Sequence, residues 1–406
     1  MSEASNPAHT RAIANIGFSC TVWSMGERAG HLDGIGIYTR ALWHALHKRT
    51  ASDPQKWHLK PYAFGRAQPR LDCGVPQVLA KRFSVSCILS ATLHKSLGNS
   101  AQLRRELDVL HATDHHIPRI KGVPVIATVM DLIPLLHPEW IRQDLPRLKN
   151  WLFTSTIRSA DHIITISEHS KQDLITHLGL APQRISVTPL GVEPCYFDRI
   201  DPQQIDATLR AHDLQPGFFL FVGTLQPRKN LRGILEAFNQ LPQEIRRQHK
   251  LVVVGRDGWG NEDLLPELRA LQARGEGYWL DYLPREQVMA LLQSAAALVF
   301  PSLYEGFGLP VIEAFAARCP VITSNSTSLP EVAGGAAWLI DPTDSGEIAT
   351  AMLDVLSNQT LRAARIEAGL NRAKTFTWDA CAARTLEVYD NVLRQAEGHP
   401  ALPDGR

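Results

Sequence analysis

The chain has 406 residues, 44% of them hydrophobic and 20% charged, with a formal net charge of +1. This composition is typical of a soluble globular protein of about two or three domains, and the charge argues against a nucleic-acid binder. The six cysteines form no C-x-x-C pair, which argues against a disulfide framework or a zinc cluster. The scattered cysteines also favour reduced thiols in a cytoplasm. Neither a signal peptide nor an apolar run of the ~18 residues that span a membrane is found, so we expect a cytoplasmic protein that is soluble or peripherally bound.

Strands and helices alternate along the first half of the chain. The first strand is predicted at 12–17, and an amphipathic helix follows the turn Asp33-Gly34-Ile35-Gly36. Short apolar segments rich in β-branched residues then recur, at 108–113, 123–134, 162–167 and 184–191. This alternation predicts a parallel sheet covered by helices on both faces.

The polar stretch 191–202 is predicted to link this half to a second α/β unit. Strands are predicted there at 218–224, 250–255, 278–284, 296–302, 320–325 and 335–341, and helices near 345–357 and 375–396. The sequence therefore predicts two open α/β domains, 1–195 and 196–375, followed by a helix at 376–396. Open sheets of this kind bind ligands at the carboxyl ends of their strands, so two facing domains predict an interdomain cleft.

A glycine-rich loop, within SLYEGFGLPVIEA (302–314), joins a predicted strand to a helix expected near Pro310. Its glycines would let the backbone approach a ligand, and the free N–H groups of the helix start suit a pyrophosphate. Glu305 would face the cleft, and Glu313, in the first helical turn, could accept hydrogen bonds from a diol such as a ribose. The alternative is an ordinary strand-to-helix turn, with Glu313 placed there because helix starts favour acidic residues.

A second loop, GTLQPRKN (223–230), also follows a predicted strand and precedes a helix. Its Arg228 and Lys229 stand where a phosphate-bearing ligand would lie, and two cations are a usual means of neutralising a diphosphate leaving group. A lone Arg-Lys pair is more often a solvated surface pair. Beside the glutamate loop of the same domain, however, this pair indicates a site for a nucleoside diphosphate.

These two loops carry a resemblance to a known family. VGTLQPRKN, followed by AALVFPSLYEGFGLPVIEAFAARCPVITSNSTSLPEVAG, is similar to the C-terminal domain of glycosyltransferase family 4, which comprises retaining nucleotide-sugar transferases. GIGIYTR, DVLHATDHHIP, ATVMDLIPLLHPEW and HIITISEHSKQDL resemble its bacterial polysaccharide members. The resemblance implies the α/β fold called GT-B, in which two Rossmann-like, doubly wound parallel-sheet domains face an interdomain cleft. The N-terminal domain would bind the acceptor, the C-terminal domain the nucleotide sugar, and the last helix would cross back to the N-terminal domain.

The resemblance also implies a role for each residue of the two C-terminal loops. Glu305 would orient the donor sugar, and Glu313 would bind the ribose. Arg228 and Lys229 would stabilise the departing diphosphate. Backbone contacts to sugar hydroxyls and phosphate would come from the residues between the two glutamates, Gly306, Phe307, Gly308 and Leu309.

In the N-terminal domain, the loop from Gly34 to Gly36 would lie against the donor phosphates or the acceptor. Many relatives have a histidine just before the aspartate of ATVMDLIP, where it contacts sugar or acceptor; this chain has Met130 there, followed by Asp131. The histidine role is therefore vacant, or it passes to Asp131 or a neighbour. Many relatives also carry an arginine where Thr224 stands, so phosphate binding would rest mainly on the cations at 228–229.

No D-x-D pair occurs in the chain, so we expect no metal and no other cofactor; cations and a helix dipole would replace Mg²⁺. The cluster of His111, Asp114, His115 and His116 fits no standard zinc spacing. Asp114 and His115 are instead predicted to form a strand-end loop on the acceptor side of the cleft. A polar loop without a binding role is the alternative.

The stretch 78–107 mixes apolar residues with five cations, Lys81, Arg82, Lys95, Arg104 and Arg105. In the family this region often faces lipid-linked acceptors. The hypothesis that follows is peripheral contact with the inner face of an anionic membrane. An ordinary core helix with solvated cations is the alternative.

The function implied is transfer of a hexose from a nucleotide diphosphate sugar, with GDP-mannose as the first choice, to a saccharide acceptor. The acceptor is expected to be lipid-linked, as in O-antigen, lipopolysaccharide or other surface polysaccharide synthesis. A catalytically inactive GT-B protein that binds a nucleotide or a partner, and a GT-B nucleotide-sugar epimerase, are the alternatives. A nicotinamide dehydrogenase is disfavoured, because GIGIYT lacks the full G-x-G-x-x-G pattern.

Overall fold

A computed structural model describes residues 13–65, 70–79, 99–140, 146–261 and 263–398, together with Ile88 and Ser96. Most of the stretch 78–107, on which the membrane hypothesis rests, lies outside these residues. Throughout the described ranges, no helix combines the length and the hydropathy that a membrane crossing requires.

The N-terminal domain is built on a parallel sheet of seven strands. In chain order these are β1 Ala14–Ser19, β2 Trp57–Ala63, β3 Gln77–Val78, β4 Val109–Ala112, β5 Val125–Thr128, β6 His162–Thr165 and β7 Ile185–Val187. Their order across the sheet is β3-β2-β1-β4-β5-β6-β7. Every residue of β4, β5 and β6 is buried, as expected of central strands covered by helices on both faces.

The C-terminal domain repeats this plan with six parallel strands. They are β8 Phe219–Val222, β9 Leu251–Val254, β10 Gly277–Leu280, β11 Ala297–Phe300, β12 Val321–Ser324 and β13 Trp338–Ile340. Their order is β10-β9-β8-β11-β12-β13, so the direction of strand addition reverses between β8 and β11. A crevice at such a reversal is where open α/β sheets bind ligands.

Helices fill the connections between the strands. In the N-terminal domain they are α1 Thr21–Ala29, α2 Gly34–Ala51, α3 Ser100–Glu106, α4 Ile133–Leu136, α5 Pro146–Ser159 and α6 Glu168–Leu178. In the remainder of the chain they are α7 Pro202–Ala211, α8 Leu231–Gln240, α9 Gln243–Gln248, α10 Leu264–Ala273, α11 Arg285–Ser294, α12 Leu309–Ala316, α13 Leu329–Ala333, α14 Ser345–Ser357, α15 Gln359–Ala373 and α16 Trp378–Gly398. The predicted fold class, two doubly wound parallel sheets, is confirmed.

Strand β2 is the main element that the sequence pattern does not predict. Its sequence, WHLKPYA, contains Lys60 and Pro61, and its burial does not alternate from residue to residue. The strand forms because it pairs along its length with β1, from Ala14 opposite Trp57 to Ser19 opposite Tyr62. Tertiary pairing therefore overrides a weak local preference here.

The two domains are joined by two chain crossings that pack against each other. The linker after β7 meets the segment before α16, where the Val192 N–H donates to the Phe376 carbonyl at 3.0 Å. A Cβ atom on Gly191 would lie 2.2 Å from the backbone nitrogen of Trp378, so only glycine permits this approach. Both crossings therefore share one hinge.

Helix α16 follows the C-terminal domain in the chain but packs on the N-terminal domain, against α2. Its buried Tyr389 hydroxyl lies 2.7 Å from Nδ1 of His111, whose Nε2 lies 2.7 Å from Oγ1 of Thr128. Burial lowers the pKa of His111 to about 3, which keeps the ring neutral. On the surface, Arg49 pairs with Asp379 at 2.7 Å.

We expect Tyr389→Phe to lower the free energy of unfolding by about 1–3 kcal/mol, because it leaves the buried His111 nitrogen without its partner. Chemical denaturation followed by circular dichroism measures this loss. Asp390→Asn on the same helix is the control, because it weakens a partly exposed ion pair with Lys56 and should cost about 1 kcal/mol or less. Equal losses in the two variants would contradict a structural role for the buried network.

Candidate active site

Strand-end loops from both domains meet at the centre of the cleft. The loop after β11, which contains Glu305, lies beside the loop after β8, and the Leu303 N–H donates to the Arg228 carbonyl at 2.8 Å. From the N-terminal domain, the loop after β5 approaches so closely that a Cβ on Gly306 would lie 2.6 Å from the Met130 carbonyl oxygen. A glycine is therefore required where the two domains touch.

Glu305, Arg228 and Lys229 form a buried ionic cluster. One carboxylate oxygen of Glu305 lies 2.9 Å from Arg228 Nη1 and 2.5 Å from Lys229 Nζ. Burial alone would raise the pKa of Glu305, but the two cations lower it to about 2. Burial lowers the pKa of Lys229 to about 8, and its ammonium also lies 4.5 Å from the Phe300 ring centroid. Near neutral pH the cluster holds two positive charges and one negative charge.

The loop before α13 supports the glycine loop from behind. The buried Ser328 hydroxyl reaches the carbonyl oxygens of Glu305, at 2.8 Å, and Phe307, at 3.0 Å. The Glu305 N–H donates to Thr327 Oγ1 at 3.3 Å. The loop has no strand-pairing hydrogen bonds here, so these contacts from Thr327 and Ser328 determine the path of the chain around Glu305.

Asp131 lies opposite this cluster, on the N-terminal side of the cleft. Its Oδ1 accepts the Ile133 N–H at 3.0 Å. Burial raises the pKa of Asp131, an effect that the Arg228 guanidinium opposes and the Glu305 carboxylate reinforces. The structure therefore brings Asp131, Arg228, Lys229 and Glu305 into one electrostatic unit.

Helix α12 begins at Leu309, and its N-cap residue is Gly308, whose φ is +106°. Because glycine has no side chain, no capping hydrogen bond is made to the free N–H groups of the helix start. Phe307 and Gly308 are buried in the turn that leads into it. Glu313 is the fifth residue of this helix, so its expected position in the first turn is wrong. The carboxyl group instead accepts a hydrogen bond from Tyr196 and feels the charge of Arg285, while burial raises its pKa to about 7.

The other residues predicted to bind the donor lie just after β8 and at the start of α2. Thr224 is exposed just after β8. Gly34 is exposed, and the Gly36 N–H donates to the Asp33 side chain at 2.8 Å, which caps α2. This cap accounts for the turn before α2 without a ligand.

The end of β4 and the polar loop after it contain both buried and exposed side chains. Asp114 is buried, and its Oδ1 accepts the His116 N–H at 2.7 Å. Burial opposes ionisation of Asp114, but His116 lowers its pKa to about 2. His115 is exposed, whereas His111 points into the core. Over the ranges that the structure describes, no three His, Cys, Asp or Glu residues are arranged to hold a metal ion.

Comparison with known proteins assigns both halves of the chain. The family model described as "Glycosyl transferases group 1" matches residues 206–372, and "Glycosyltransferase Family 4" matches residues 32–195. The O-antigen chain mannosyltransferase B of Escherichia coli is 34% identical over 69% of this chain and 74% of its own length. The chain belongs to glycosyltransferase family 4. It is a hexosyltransferase, as the sequence resemblance implies.

Two further comparisons concern a longer relative and the fold. The serotype-specific mannosyltransferase WbdA of Escherichia coli is 27% identical over 66% of this chain, which spans only 33% of that longer protein. The sucrose-phosphate synthase of Thermosynechococcus elongatus superposes with a TM-score of 0.71 at 19% identity, covering 94% of this chain and 100% of that one. The superposition confirms the GT-B fold.

Several residues of this family 4 site are not found by sequence reasoning. The Tyr304 hydroxyl donates to the Asp173 carboxylate across the domain boundary. Glu331, on the short helix α13 that follows the loop supporting Glu305, accepts the backbone N–H of Glu168 at 3.0 Å, at the start of α6. The sequence segment HIITISEHSKQDL indicates only a strand and a helix, and nothing local shows that this helix faces the glutamate loop.

The raised pKa of Glu313 predicts a pH dependence of donor binding. Its carboxyl is mainly protonated below a pH of about 7 and ionised above it. An ionised carboxylate accepts stronger hydrogen bonds from a ribose diol, so affinity for a sugar nucleotide should increase between about pH 6 and about pH 8. Isothermal titration calorimetry with a sugar nucleotide measures this, because its diphosphate does not titrate in that range.

Glu313→Gln is the matched control, since it keeps shape and hydrogen-bonding capacity but cannot ionise. The variant should lose the part of the pH dependence that Glu313 supplies. The same carboxyl makes the native state bind a proton more tightly than the unfolded chain does, so its contribution to stability should decrease as pH rises toward about 7. If the affinity for the sugar nucleotide depends on pH in the same way in the wild type and in Glu313→Gln, Glu313 does not belong to the donor site.

Proposed function

We propose that this chain is a retaining, metal-independent mannosyltransferase that acts in the cytoplasm. It would use GDP-mannose, and its acceptor would be a saccharide, lipid-linked at the membrane, in O-antigen or other surface polysaccharide synthesis. The observation that carries the proposal is the buried cluster of Glu305, Arg228 and Lys229 beside the start of α12, where no side chain caps the helix N–H groups. The E. coli relatives, named as O-antigen and serotype-specific mannosyltransferases, support the choice of sugar and pathway.

The cluster suits a diphosphate leaving group. Arg228 and Lys229 exceed the charge of Glu305 by one unit, and both are largely shielded from water, with side-chain exposures of 20% and 11%. Cations in such surroundings stabilise developing negative charge more strongly than solvated ones. The backbone N–H groups around Gly308 would bind the same phosphates at the start of α12. These groups would perform the charge neutralisation that Mg²⁺ performs in metal-dependent transferases.

Retention is what the family resemblance implies, and the properties of the carboxylates favour front-face attack as its route. Glu305 is held by two cations with a pKa of about 2, which makes it a weak base and a poorly available nucleophile. Its role would be to orient Arg228, Lys229 and the donor sugar. The acceptor oxygen would attack the anomeric carbon on the face from which the diphosphate leaves. The carbon–oxygen bond to the phosphate breaks, the new glycosidic bond forms, and the diphosphate takes the acceptor proton.

The acceptor would enter from the N-terminal side. Asp131 faces the cluster with a raised pKa, and the loop that carries Asp114 and His115 ends the neighbouring strand β4. Met130 holds the histidine position of many relatives and leaves Asp131 as the nearest titratable group of its loop. Asp131 would therefore bind the sugar or acceptor hydroxyls.

A thermal-shift titration with GDP, UDP, dTDP, ADP and CMP, with and without Mg²⁺, tests the donor. A ligand that binds only the native state raises the melting temperature. GDP alone should raise it, equally well without metal. A shift that requires Mg²⁺ would refute metal independence, a shift with another nucleotide would replace the base, and no shift at all would favour a protein without transferase activity. Proton NMR of the transfer product then shows whether the anomeric configuration is retained.

Lys229→Ala should lower kcat by about 10²–10³-fold, because charge on the departing diphosphate develops mainly in the transition state. The affinity for GDP-mannose should fall much less, since Arg228 still contacts the site. Steady-state kinetics with calorimetric binding separates the two effects. Lys374→Ala, at an exposed position of the same domain, is the control and should leave both quantities unchanged. Wild-type turnover in Lys229→Ala would remove the lysine from catalysis.

A further inference from the structure

A phenol and a carboxylate from different domains meet beside the glutamate loop. Tyr304 directly precedes Glu305 in the C-terminal domain, and Asp173 lies on α6 of the N-terminal domain. The Tyr304 hydroxyl donates to the Asp173 carboxylate, and only 5% of Tyr304 and 9% of Asp173 are exposed. A buried carboxylate without a donor is costly, so this bond stabilises the arrangement in which the two domains are together.

The surroundings of this bond are aromatic and include three imidazole rings. The rings of His137 and His169 each lie 5.6 Å from the Tyr304 ring, edge to face. The carboxylate of Asp173 is also approached by His169 Nε2 at 3.4 Å and by His177 Nε2 at 3.9 Å. Burial raises the pKa of Tyr304, so its hydroxyl remains a donor. The N-terminal domain thus provides a fitted pocket for one tyrosine of its partner domain.

The same helix contacts the glutamate loop on its other side. The Ser170 hydroxyl lies 3.0 Å from the Met130 carbonyl and 3.5 Å from the Gly306 carbonyl. Helix α6 therefore receives the residues immediately before and immediately after Glu305. The Tyr304–Asp173 and Ser170–Gly306 contacts both cross the domain boundary, so both would be lost if the two domains moved apart.

A hydrogen bond also connects the backbone of Tyr304 to the charged cluster. Arg228 Nη1 donates to the Tyr304 carbonyl at 3.3 Å, and the same nitrogen lies 2.9 Å from Glu305. The position of Tyr304 therefore determines where the guanidinium and the glutamate sit relative to each other. A shift of the tyrosine would displace both groups together.

We propose that Asp173 is a positioning residue that aligns the Glu305 loop when the two domains close, by accepting the Tyr304 hydroxyl. This inference rests on the proposed transferase function. In the open protein the carboxylate and the phenol are hydrated, and the loop is no longer held against α6. Closure replaces that water with one charge-assisted hydrogen bond and completes the arrangement of Arg228 and Glu305.

A double-mutant cycle in kcat tests this. Tyr304→Phe and Asp173→Ala should each lower kcat on the order of tenfold, the usual effect of losing one hydrogen bond to a charged group. The double variant should be no slower than the worse single variant, because both remove the same bond. Asp173→Asn, which still offers an acceptor oxygen, should recover part of the rate. Gln172→Ala, exposed on the same helix, is the control and should be as active as the wild type.

A second measurement separates positioning from stability. In Tyr304→Phe the nucleotide should still raise the melting temperature, since the proposed donor site lies in the C-terminal domain. The decrease in the radius of gyration that nucleotide causes, measured by small-angle X-ray scattering, should be smaller than in the wild type. Additive losses of kcat, or variants that lose only stability while kcat and compaction stay at wild-type values, would overturn the proposal. If the wild type compacts with nucleotide but transfers no sugar, the proposed function fails, and the compaction of the variants still decides the role of Asp173.

Discussion

The buried carboxylate of Glu305, bound by Arg228 and Lys229, is the interaction on which the rest of the site depends. Three charges out of water are tolerated only when each is paired, and removal of one partner would leave an uncompensated charge. The cluster therefore joins the loop after β8 to the loop after β11 across the strand reversal of the C-terminal sheet. The turn that leads from these joined loops into α12, at Phe307 and Gly308, is buried.

Domain closure is the second constraint on the molecule. Gly306 touches the Met130 carbonyl, and Tyr304 reaches Asp173, so the Glu305 loop of one domain is shaped by the other. A donor of the size of a sugar nucleotide needs an open cleft to enter, and the reaction needs water excluded afterwards. The paired crossings near Gly191 concentrate the required motion at one place, because the two chain segments are packed against each other there.

The two domains contribute different groups to the candidate site. The C-terminal domain contributes the cations and the helix start that suit a diphosphate, whereas the N-terminal domain contributes Asp131 and the loop around His115. Helix α16 ties the end of the chain to the N-terminal domain through buried Tyr389 and His111. The end of the chain is therefore anchored on the N-terminal domain, and the covalent chain crosses between the domains twice.

The sequence by itself determined the alternating elements, the two open sheets, and the loops that carry Glu305, Arg228 and Lys229, because periodicity and Gly-Pro turns are local properties. The tertiary structure alone decided which side chains meet. It moved Glu313 out of the first helical turn, turned His111 into the core and paired Tyr304 with Asp173, 131 residues away. Such pairings depend on how two separately folded sheets face each other, and no local pattern encodes that geometry.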